Sequence, residues 1–239
     1  MGARHAPTFW RATAVCWLTA LCTCAAGAAE PVRSGPATCP QVALTFDLCP
    51  TARGAGFDEA LVALLERDRI PATFFLSGRW IETHADDTRR LLANPSFEIG
   101  THGQRHVHLR TLDAIGQRAE IGDAVQVLAT RFGRHPTLFR PPYGEWTGTT
   151  LAVAHALGQQ TVLWSVVSGD PDPHGSAQRI LSTVVTGLTP GAIIVFHANG
   201  RGVGTREAVE ALHDDVFPRR GLRPVTVSVL LRGCSDGRP

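Results

Sequence analysis

Residues able to do metal or acid–base chemistry recur directly after the predicted strands of this chain. Asp47 follows the first predicted strand, and the pair His102 and His106, spaced His-x-x-x-His, follows the third. Two imidazoles at this spacing can converge on one Zn²⁺-like ion and leave a coordination position open for water or an acyl oxygen. Taken alone, the pair could equally be exposed loop histidines in a chain with 10 His.

The same pattern continues in the second half of the chain. Arg140 begins the sequence Arg-Pro-Pro-Tyr-Gly after the fourth strand, Asp170 lies shortly after the fifth, and His197 closes the sixth. Histidine suits proton transfer because its pKa lies near working pH, and a nearby carboxylate favours its protonated form. Functional groups gather at the carboxyl ends of strands in parallel α/β folds, so we expect these side chains to share one site.

Short apolar runs alternate with amphipathic stretches along the chain, which predicts parallel βα units. We expect an α/β fold, a deformed (β/α)7-type barrel, with an open doubly wound sheet as the alternative. The predicted strands are Val42–Phe46, Ala72–Leu76, Phe97–Gly100, Thr137–Arg140, Thr161–Val166, Ala192–His197 and Pro224–Val227. The predicted helices are Phe57–Asp68, Asp113–Phe132, Thr149–Leu157, Ala177–Thr186 and Thr205–Phe217.

The first 29 residues are typical of a secretory signal: two Arg, an apolar run, and small residues at the exit. We expect cleavage after Ala28 or Ala29 and export to the periplasm or the extracellular space. The alternative is an uncleaved anchor, because a run of about 18 residues can just span a membrane. The expected organisation is a signal peptide (1–29), a leader (30–40), one domain (41–232) and a C-terminal tail (233–239).

The charge balance excludes two classes of partner as defaults. All 23 basic residues are Arg, and 21 of them remain after residue 29 against 21 acidic residues. A neutral mature chain gives no electrostatic argument for binding nucleic acid or an anionic membrane. We expect a monomer with no stable membrane partner after signal cleavage.

Three cysteines, Cys39, Cys49 and Cys234, lie outside the signal and would meet an oxidising compartment. Cys39 precedes the first predicted strand and Cys234 follows the last. Because three is an odd number, at least one of these cysteines is free, intermolecular or functional, and a Cys39–Cys234 disulfide is the pairing that would join the two ends of the domain.

These motifs together resemble the polysaccharide deacetylase family, also called carbohydrate esterase family 4 or the NodB-homology domain. The resemblance rests on Leu44-Thr-Phe-Asp47, the His102/His106 pair, Arg140-Pro-Pro-Tyr-Gly144 and Ile194-Val-Phe-His197. It runs from about Val42 to Leu231. It implies a deformed barrel and metal-assisted removal of N- or O-acetyl groups from sugar polymers.

The resemblance also implies a role for each matching residue. Asp47 resembles the general base of the family, and Arg140 the residue that pairs with that base and orients it. The backbone N–H of Tyr143 would face the oxyanion. His197 resembles the general acid, with Asp170 as its carboxylate partner. His102 and His106 would be the metal ligands, and the implied cofactor is a divalent metal, by preference zinc.

The chain departs from the family pattern in the first and fourth motifs. The usual Asp-Asp-Gly is here Asp47-Leu48-Cys49, so the second Asp, a metal ligand in the family, is replaced by a side chain with no donor atom. Val167 stands where another Asp is expected, and Pro171 where Trp is usual. The stretch 51–56 is also longer than the usual spacing.

Because Leu48 has no donor atom, the metal site could be completed in four ways. Asp47 itself could move onto the metal, Cys49 could ligate as thiolate, or Asp58 could fold back into the site. We prefer the fourth, in which two His and water hold the ion and Asp47 acts as base. The expected function is an exported deacetylase of a chitin-like or peptidoglycan-like glycan. The alternatives are a catalytically lapsed carbohydrate-binding domain and a metal amidohydrolase acting on non-carbohydrate amides.

Overall fold

A curved sheet of parallel strands, flanked by helices, forms the centre of the computed structural model, which describes residues 1–2, 30–51 and 56–234. The strands are β1 (Gln41–Leu48), β2 (Ala72–Leu76), β3 (Phe97–Thr101), β4 (Leu138–Phe139), β5 (Gln160–Thr161), β6 (Val166–Val167), β7 (Ile193–His197) and β8 (Arg223–Val225). The sheet order is β5-β4-β3-β2-β1-β7-β6, and β8 pairs with the first residues of β1. The predicted α/β class and deformed barrel are confirmed.

The helices are α1 (Glu59–Arg67), α2 (Gly78–Thr83), α3 (Ala85–Ala93), α4 (Ala114–Phe132), α5 (Gly148–Ala156), α6 (Ala177–Gly187), α7 (Thr205–Ala211), α8 (Phe217–Arg220) and α9 (Val227–Arg232). Side chains of Asp58, Asp113, Thr147 and Ser176 cap the first turns of α1, α4, α5 and α6. Each cap accepts a hydrogen bond from a backbone N–H that the helix itself leaves without a partner.

The alternation of side chains along β1 separates the core from the functional face. Phe46 and Leu48 belong to the main apolar core, where Phe46 stacks on Phe74 and Phe196 at ring distances of 5.3 and 5.6 Å. Because successive side chains of a strand point to opposite faces, Asp47 lies on the other face. The core and the polar site therefore share the same strand.

Strand register places the predicted base and acid beside each other. β1 and β7 pair in parallel, with Asp47 opposite His197 at the carboxyl ends of both strands. The same end of β3 leads into His102. One edge of the sheet thus collects residues that are 55 to 150 positions apart in the sequence.

The leader packs against the sheet between its two edges. Val32 forms a parallel bridge with Val162, and Ser34 forms an antiparallel bridge with Ala192. The approach is close enough that a Cβ on Gly191 would lie 2.5 Å from the carbonyl oxygen of Gly35, so only glycine fits there. The leader thus links the segment that follows β5 to the residue that precedes β7.

Two predicted elements are each divided in the structure. The predicted strand Thr161–Val166 is divided between two short strands, because the chain changes its hydrogen-bonding partner there. The N–H of Val162 donates to the carbonyl of Phe139 in β4, whereas the N–H of Ser165 donates to the carbonyl of Ile193 in β7. The predicted helix Thr205–Phe217 ends as α7 at Ala211 and continues as a π-helical turn, Leu212–Val216, before α8. Pro218 lacks the N–H that a continuous α-helix would need there.

Three other outcomes concern the helices and the ends of the chain. Helices α2, α3 and α9 were not predicted, and the last predicted strand, Pro224–Val227, ends at Val225 because Val227 begins α9. The signal peptide lies outside the described residues apart from residues 1–2, as do 52–55 of the lengthened stretch and 235–239 of the tail. Within the described part of the chain, no helix is long and apolar enough to cross a membrane.

Candidate active site

All seven predicted site residues meet at the carboxyl ends of the strands. A cavity of about 300 Å³ opens there between the ends of β1, β3, β6 and β7. Its lining includes Asp47, Cys49, His102, His106, Tyr143, Trp164, Val167, Asp170, Pro171, Val195, His197 and Arg201. Arg140 lies directly behind Asp47 and completes the set.

Asp47 is a buried carboxylate that is held by a buried arginine. Arg140 Nη1 donates to Asp47 Oδ1 at 2.8 Å, and the other oxygen, Oδ2, lies 3.6 Å from His102 Nε2. Burial alone would raise the pKa of Asp47, but the positive charge of Arg140, with smaller contributions from His102 and His197, holds this pKa below its usual range. Asp47 is therefore ionised and fixed in orientation.

Arg140 is fully buried, and two of its guanidinium nitrogens are held by hydrogen bonds, whereas its Nε has no hydrogen-bond partner among the described residues. Its Nη2 donates to the carbonyl of Leu163 at 3.1 Å, and its guanidinium carbon lies 4.1 Å from the ring centre of Phe75 and 5.5 Å from that of Trp164. Stacking on aromatic faces and a carboxylate partner are the two settings in which a buried arginine is stabilised.

His197 and Asp170 form the second buried couple. Nδ1 of His197 donates to Asp170 Oδ1 at 2.9 Å, and its backbone N–H donates to Asp170 Oδ2 at 2.8 Å. Burial would lower the pKa of His197, but the hydrogen bond and the charge of Asp170 outweigh it and raise the pKa above the usual value. His197 therefore retains its proton to higher pH than an ordinary histidine does.

Asp170 is not a solvated loop acid. It is fully buried, and the hydroxyls of Ser168 and Thr205 donate to its two oxygens at 2.9 and 3.0 Å. A Cβ on Gly202 would lie 2.0 Å from the Thr205 hydroxyl and 2.9 Å from Asp170 Oδ2, so glycine at this position permits the contact. These donors hold the carboxylate against His197.

His102 presents one nitrogen to the cavity and uses the other for anchoring. Its Nδ1 lies 2.8 Å from the carbonyl oxygen of Arg140, and since a carbonyl only accepts, Nδ1 carries the proton. Nε2 is then the nitrogen with a free lone pair, and it faces the cavity beside Asp47. Burial lowers the pKa of His102, so the ring is neutral, as a metal ligand must be.

His106 lies next to His102 in a fixed loop. The two rings have centres 4.8 Å apart, and burial, with the unfavourable proximity of two protonated rings as the second cause, lowers the pKa of His106 to about 3. The loop between them is held by Glu120 of α4, whose carboxylate accepts the backbone N–H of Arg105 at 2.6 Å. The φ of His106 is +61°, an unusual value for a residue with a side chain, and such strain is often found at functional sites.

The donor set at this end of the cavity suits a cation. Ligand atoms of Cys49, His102 and His106 lie within 4.8 Å of one another. Two neutral imidazoles and a sulfur are donors that Zn²⁺ prefers, and three protein ligands leave one position open. The residues present therefore fit the divalent metal that the sequence analysis implies. Burial, with the charge of Asp47 second, raises the pKa of the Cys49 thiol.

Leu48, at the position of the family's third ligand, and Asp58, considered as its replacement, lie outside the cavity. Leu48 is fully buried in the apolar core. Asp58 caps α1, where its carboxylate accepts the N–H of Leu61 at 3.0 Å. Neither residue lines the cavity.

Tyr143 lies in a tight turn at the mouth of the cavity. Its φ is +59°, and its half-exposed ring stacks on His108 with ring centres 4.0 Å apart. A Cβ on Gly144 would lie 2.8 Å from the ring of Trp164, so the glycine allows Trp164 to pack beneath the turn. Trp164 and Val195 line the cavity and give it an apolar wall.

The two terminal cysteines of the domain are neighbours. The backbone N–H of Cys234 donates to Sγ of Cys39 at 2.5 Å, and Cys39 is buried. This proximity agrees with the expected closing of the two chain ends, while the disulfide between them stays a prediction.

Sequence reasoning missed four polar residues around the cavity: Ser168, Thr205, Asn199 and Arg201. Ser168 and Thr205 bind Asp170, Asn199 binds the carbonyl of Cys49, and Arg201 lines the cavity. Asn199 and Arg201 follow His197 at the carboxyl end of β7, so their position was a usable signal. The two hydroxyls carried none, because Ser and Thr are common in any loop.

Comparison with known proteins finds similar sequences among polysaccharide deacetylases. The family model described as polysaccharide deacetylase matches residues 34–162. A chitin deacetylase of Pestalotiopsis sp is 30% identical over 201 residues, which are 81% of this chain and 64% of that relative. The chain spans 55%, 61% and 64% of the lengths of the first three curated relatives that it matches.

Two solved structures share the fold. The peptidoglycan N-acetylglucosamine deacetylase Bc1960, in complex with a substituted N-oxidanyl-benzamide, aligns with a TM-score of 0.77 and 27% identity over 86% of this chain and 94% of that one. A family 4 pseudoenzyme from Bacillus anthracis aligns with a TM-score of 0.75 and 22% identity over 84% of this chain and 69% of that one. The second likeness concerns the fold alone.

Proposed function

This chain belongs to the polysaccharide deacetylase family, and from that premise we propose that it is an exported hydrolase removing acetyl groups from an N- or O-acetylated glycan, of chitin-like or peptidoglycan-like type. The observation that carries the proposal is the meeting of two charged couples, Asp47–Arg140 and Asp170–His197, around one cavity. Export is supported by the signal-like pattern of residues 1–29, and the catalytic unit is assigned to residues 41–232.

Asp47 acts as the general base in this proposal. Its pKa is held low, so it is ionised at neutral pH and ready to accept a proton from the attacking water. Arg140 holds the carboxylate in place through Oδ1, which leaves Oδ2 directed to the side of His102. A base whose orientation is already set loses little freedom when the substrate binds.

His197 acts as the general acid. Because Asp170 stabilises its protonated form, His197 keeps its proton to higher pH than an ordinary histidine and can donate it to the departing nitrogen or oxygen. The backbone N–H of Tyr143 would stabilise the oxyanion, and its strained, proline-flanked turn supports a preorganised donor. Trp164 and Val195 would enclose the acetyl methyl group.

His102 and His106 would hold the divalent cation, by preference zinc. When bound, such a cation supplies Lewis-acid polarisation of the acyl group and lowers the pKa of water. The chain prepares the two rings for this role, since both have lowered pKa values and His102 is oriented by the carbonyl of Arg140.

A glycan-binding domain without turnover is the second candidate function. The observation that favours it is Leu48, a core residue where the family has a carboxylate ligand. This candidate uses the same cavity and the stacked rings of Tyr143 and His108 at its mouth, and it makes no use of the pKa difference between Asp47 and His197.

Acetate release and glycan binding, measured on the same preparation, separate the two functions. The substrates are N-acetylated chito-oligosaccharides and peptidoglycan fragments, with zinc added. We expect the wild type to release acetate, and Asp47→Asn to bind glycan while releasing it about 10²–10⁴-fold more slowly. Asp58→Asn is the matched control, because it removes a carboxylate outside the cavity and Asn caps a helix equally well. Binding with no release by the wild type, or turnover of non-carbohydrate amides alone, contradicts the proposal.

A further inference from the structure

Cys49 brings a sulfur atom to the two imidazoles of the cavity. Ligand atoms of Cys49, His102 and His106 all lie within 4.8 Å of one another. In tetrahedral coordination, zinc bonds of about 2.1 Å to nitrogen and 2.3 Å to sulfur place the ligand atoms about 3.5 Å apart. Side-chain adjustments that bring these atoms about 1 Å closer together therefore suffice for one ion to contact all three.

The backbone around Cys49 is anchored on both sides. The carbonyl of Leu48 accepts the N–H of Ser77 at 3.2 Å and its hydroxyl at 3.0 Å, and the carbonyl of Cys49 accepts Nδ2 of Asn199 at 3.2 Å. Cys49 itself is only 5% exposed. A side chain fixed in this way holds its sulfur beside the histidines, as a preorganised ligand requires.

The two carboxylates considered as ligands each have a partner of their own. Asp47 binds Arg140 through Oδ1 and keeps Oδ2 3.6 Å from His102 Nε2, while Asp58 caps α1. Among the residues that the structure describes, the only cluster with metal-ligand spacing joins Cys49 to His102 and His106 and contains no carboxylate. Sulfur is thus the donor that completes a group of three ligand atoms with the two imidazoles.

We infer that the Cys49 thiolate is the third protein ligand of the cation held by His102 and His106. The thiol proton passes to solvent as the sulfur–metal bond forms, so the sulfur contributes one negative charge beside two neutral rings. Three protein ligands leave a position open for the substrate or water. A nitrogen and sulfur donor set favours zinc and cobalt over magnesium and manganese, which prefer oxygen ligands.

The inference deepens the proposed function, because the cation serves the same cavity, but its test needs no turnover. Cobalt(II) is titrated into the full-length protein under reducing conditions, and the near-ultraviolet absorption that arises from thiolate-to-cobalt charge transfer is recorded. We expect this band in the wild type, and we expect Cys49→Ser, which nearly preserves volume, to lose it. Zinc affinity in Cys49→Ser should fall at least about 100-fold, since even a lost hydrogen-bond partner of a ligand costs 10–100-fold.

Two further variants test whether the cobalt band arises at the site formed by Cys49 and the two histidines. His106→Ala leaves the thiol in place and should weaken or abolish the cobalt band if sulfur and imidazole bind one ion. Asp58→Asn should retain both the band and the affinity. Thermal unfolding of the metal-free proteins checks that Cys49→Ser is folded.

The result that overturns the inference is a wild-type cobalt complex without sulfur absorption, or a folded Cys49→Ser variant that binds zinc as tightly as the wild type. Acetate release reports the proposed function separately. Turnover without a sulfur band refutes the ligand and leaves the deacetylase standing. A sulfur band without acetate release supports the ligand and refutes the deacetylase.

Discussion

The cavity has two halves that are prepared in opposite ways. The acid–base half consists of Asp47 with Arg140 and Asp170 with His197, and the metal-ligand half consists of Cys49, His102 and His106. In the acid–base half, positive and negative partners lie within 2.8–2.9 Å of each other. In the metal-ligand half, the ligand atoms lie close to one another, and hydrogen bonds hold Nδ1 of His102 and the backbone carbonyl of Cys49 in place.

The difference shows that one buried cavity can favour charged side chains in its acid–base half and uncharged side chains in its metal-ligand half. The pKa of Asp47 is lowered and that of His197 is raised, so the surroundings favour the charged form of both groups. Burial lowers the pKa values of His102 and His106 and raises that of the Cys49 thiol, so these three groups are uncharged. Titratable groups whose environments push their pKa values apart are typical of acid–base catalysis.

The largest expected effect comes from breaking the buried ion pair in the acid–base half. Arg140→Met leaves Asp47 buried without its cation, so the free energy of unfolding should fall by about 3–5 kcal/mol in chemical denaturation. Because the pKa of Asp47 is lowered in the fold, the stabilisation is present above the ordinary carboxyl pKa of 3.8. The deficit should therefore shrink as the pH falls through the lowered value.

The control for this loss is an arginine on the surface. Arg90→Met removes ion pairs with Glu59 and Glu66 that are partly exposed, so we expect a loss of about 0–1 kcal/mol. If Arg140→Met is as stable as Arg90→Met, the ion pair does not hold the acid–base half together.

A smaller effect should follow from removing the charge that holds the proton on His197. Asp170→Asn keeps the shape of the side chain and one oxygen acceptor but removes its negative charge, so the pKa of His197 should fall. In the pH profile of acetate release, the loss of activity on the alkaline side should then occur about one pH unit or more lower. The lost stabilisation is fully present below the ordinary histidine pKa of 6.5 and disappears as the pH rises through the raised value. An unchanged alkaline limb would mean that another group sets it.

A further substitution tests the support behind that couple. Thr205→Val removes the hydroxyl that donates to Asp170 Oδ2 at 3.0 Å, and a hydrogen bond to a charged group is worth about 1.5–3 kcal/mol. The free energy of unfolding should fall by about that amount. Thr183→Val removes an exposed hydroxyl that bonds only to the carbonyl of Arg179 in α6, and it should change stability by less than about 1 kcal/mol. Equal effects from the two substitutions would deny Asp170 this support.

The sequence allowed the acid–base half to be predicted well, because its residues end strands. The apolar runs of β1 and β7 indicated where Asp47 and His197 lie, and parallel strands bring such residues to one edge of a sheet. Thr205 escaped prediction because it begins a helix on a different element from the carboxylate that it binds. Contacts of this kind depend on packing between elements, which a linear pattern does not contain.

The metal-ligand half was only partly predictable. The His-x-x-x-His spacing indicated a cation, whereas the neighbourhood of Cys49 depends on anchors from Ser77 and Asn199, which lie 28 and 150 positions away. The division of Thr161–Val166 into two strands had a similar cause. There the chain passes from β5 to β6, which lie at opposite ends of the strand order, and sequence periodicity does not report strand order.

Acetate release by Asp47→Asn and wild type at equal zinc occupancy tests the central claim most directly. The account predicts that both proteins bind zinc and an N-acetylated chito-oligosaccharide, and that the variant releases acetate about 10²–10⁴-fold more slowly. Equal rates at equal occupancy would contradict the account, because the ionised carboxylate that Arg140 holds at the end of β1 would then take no part in the reaction.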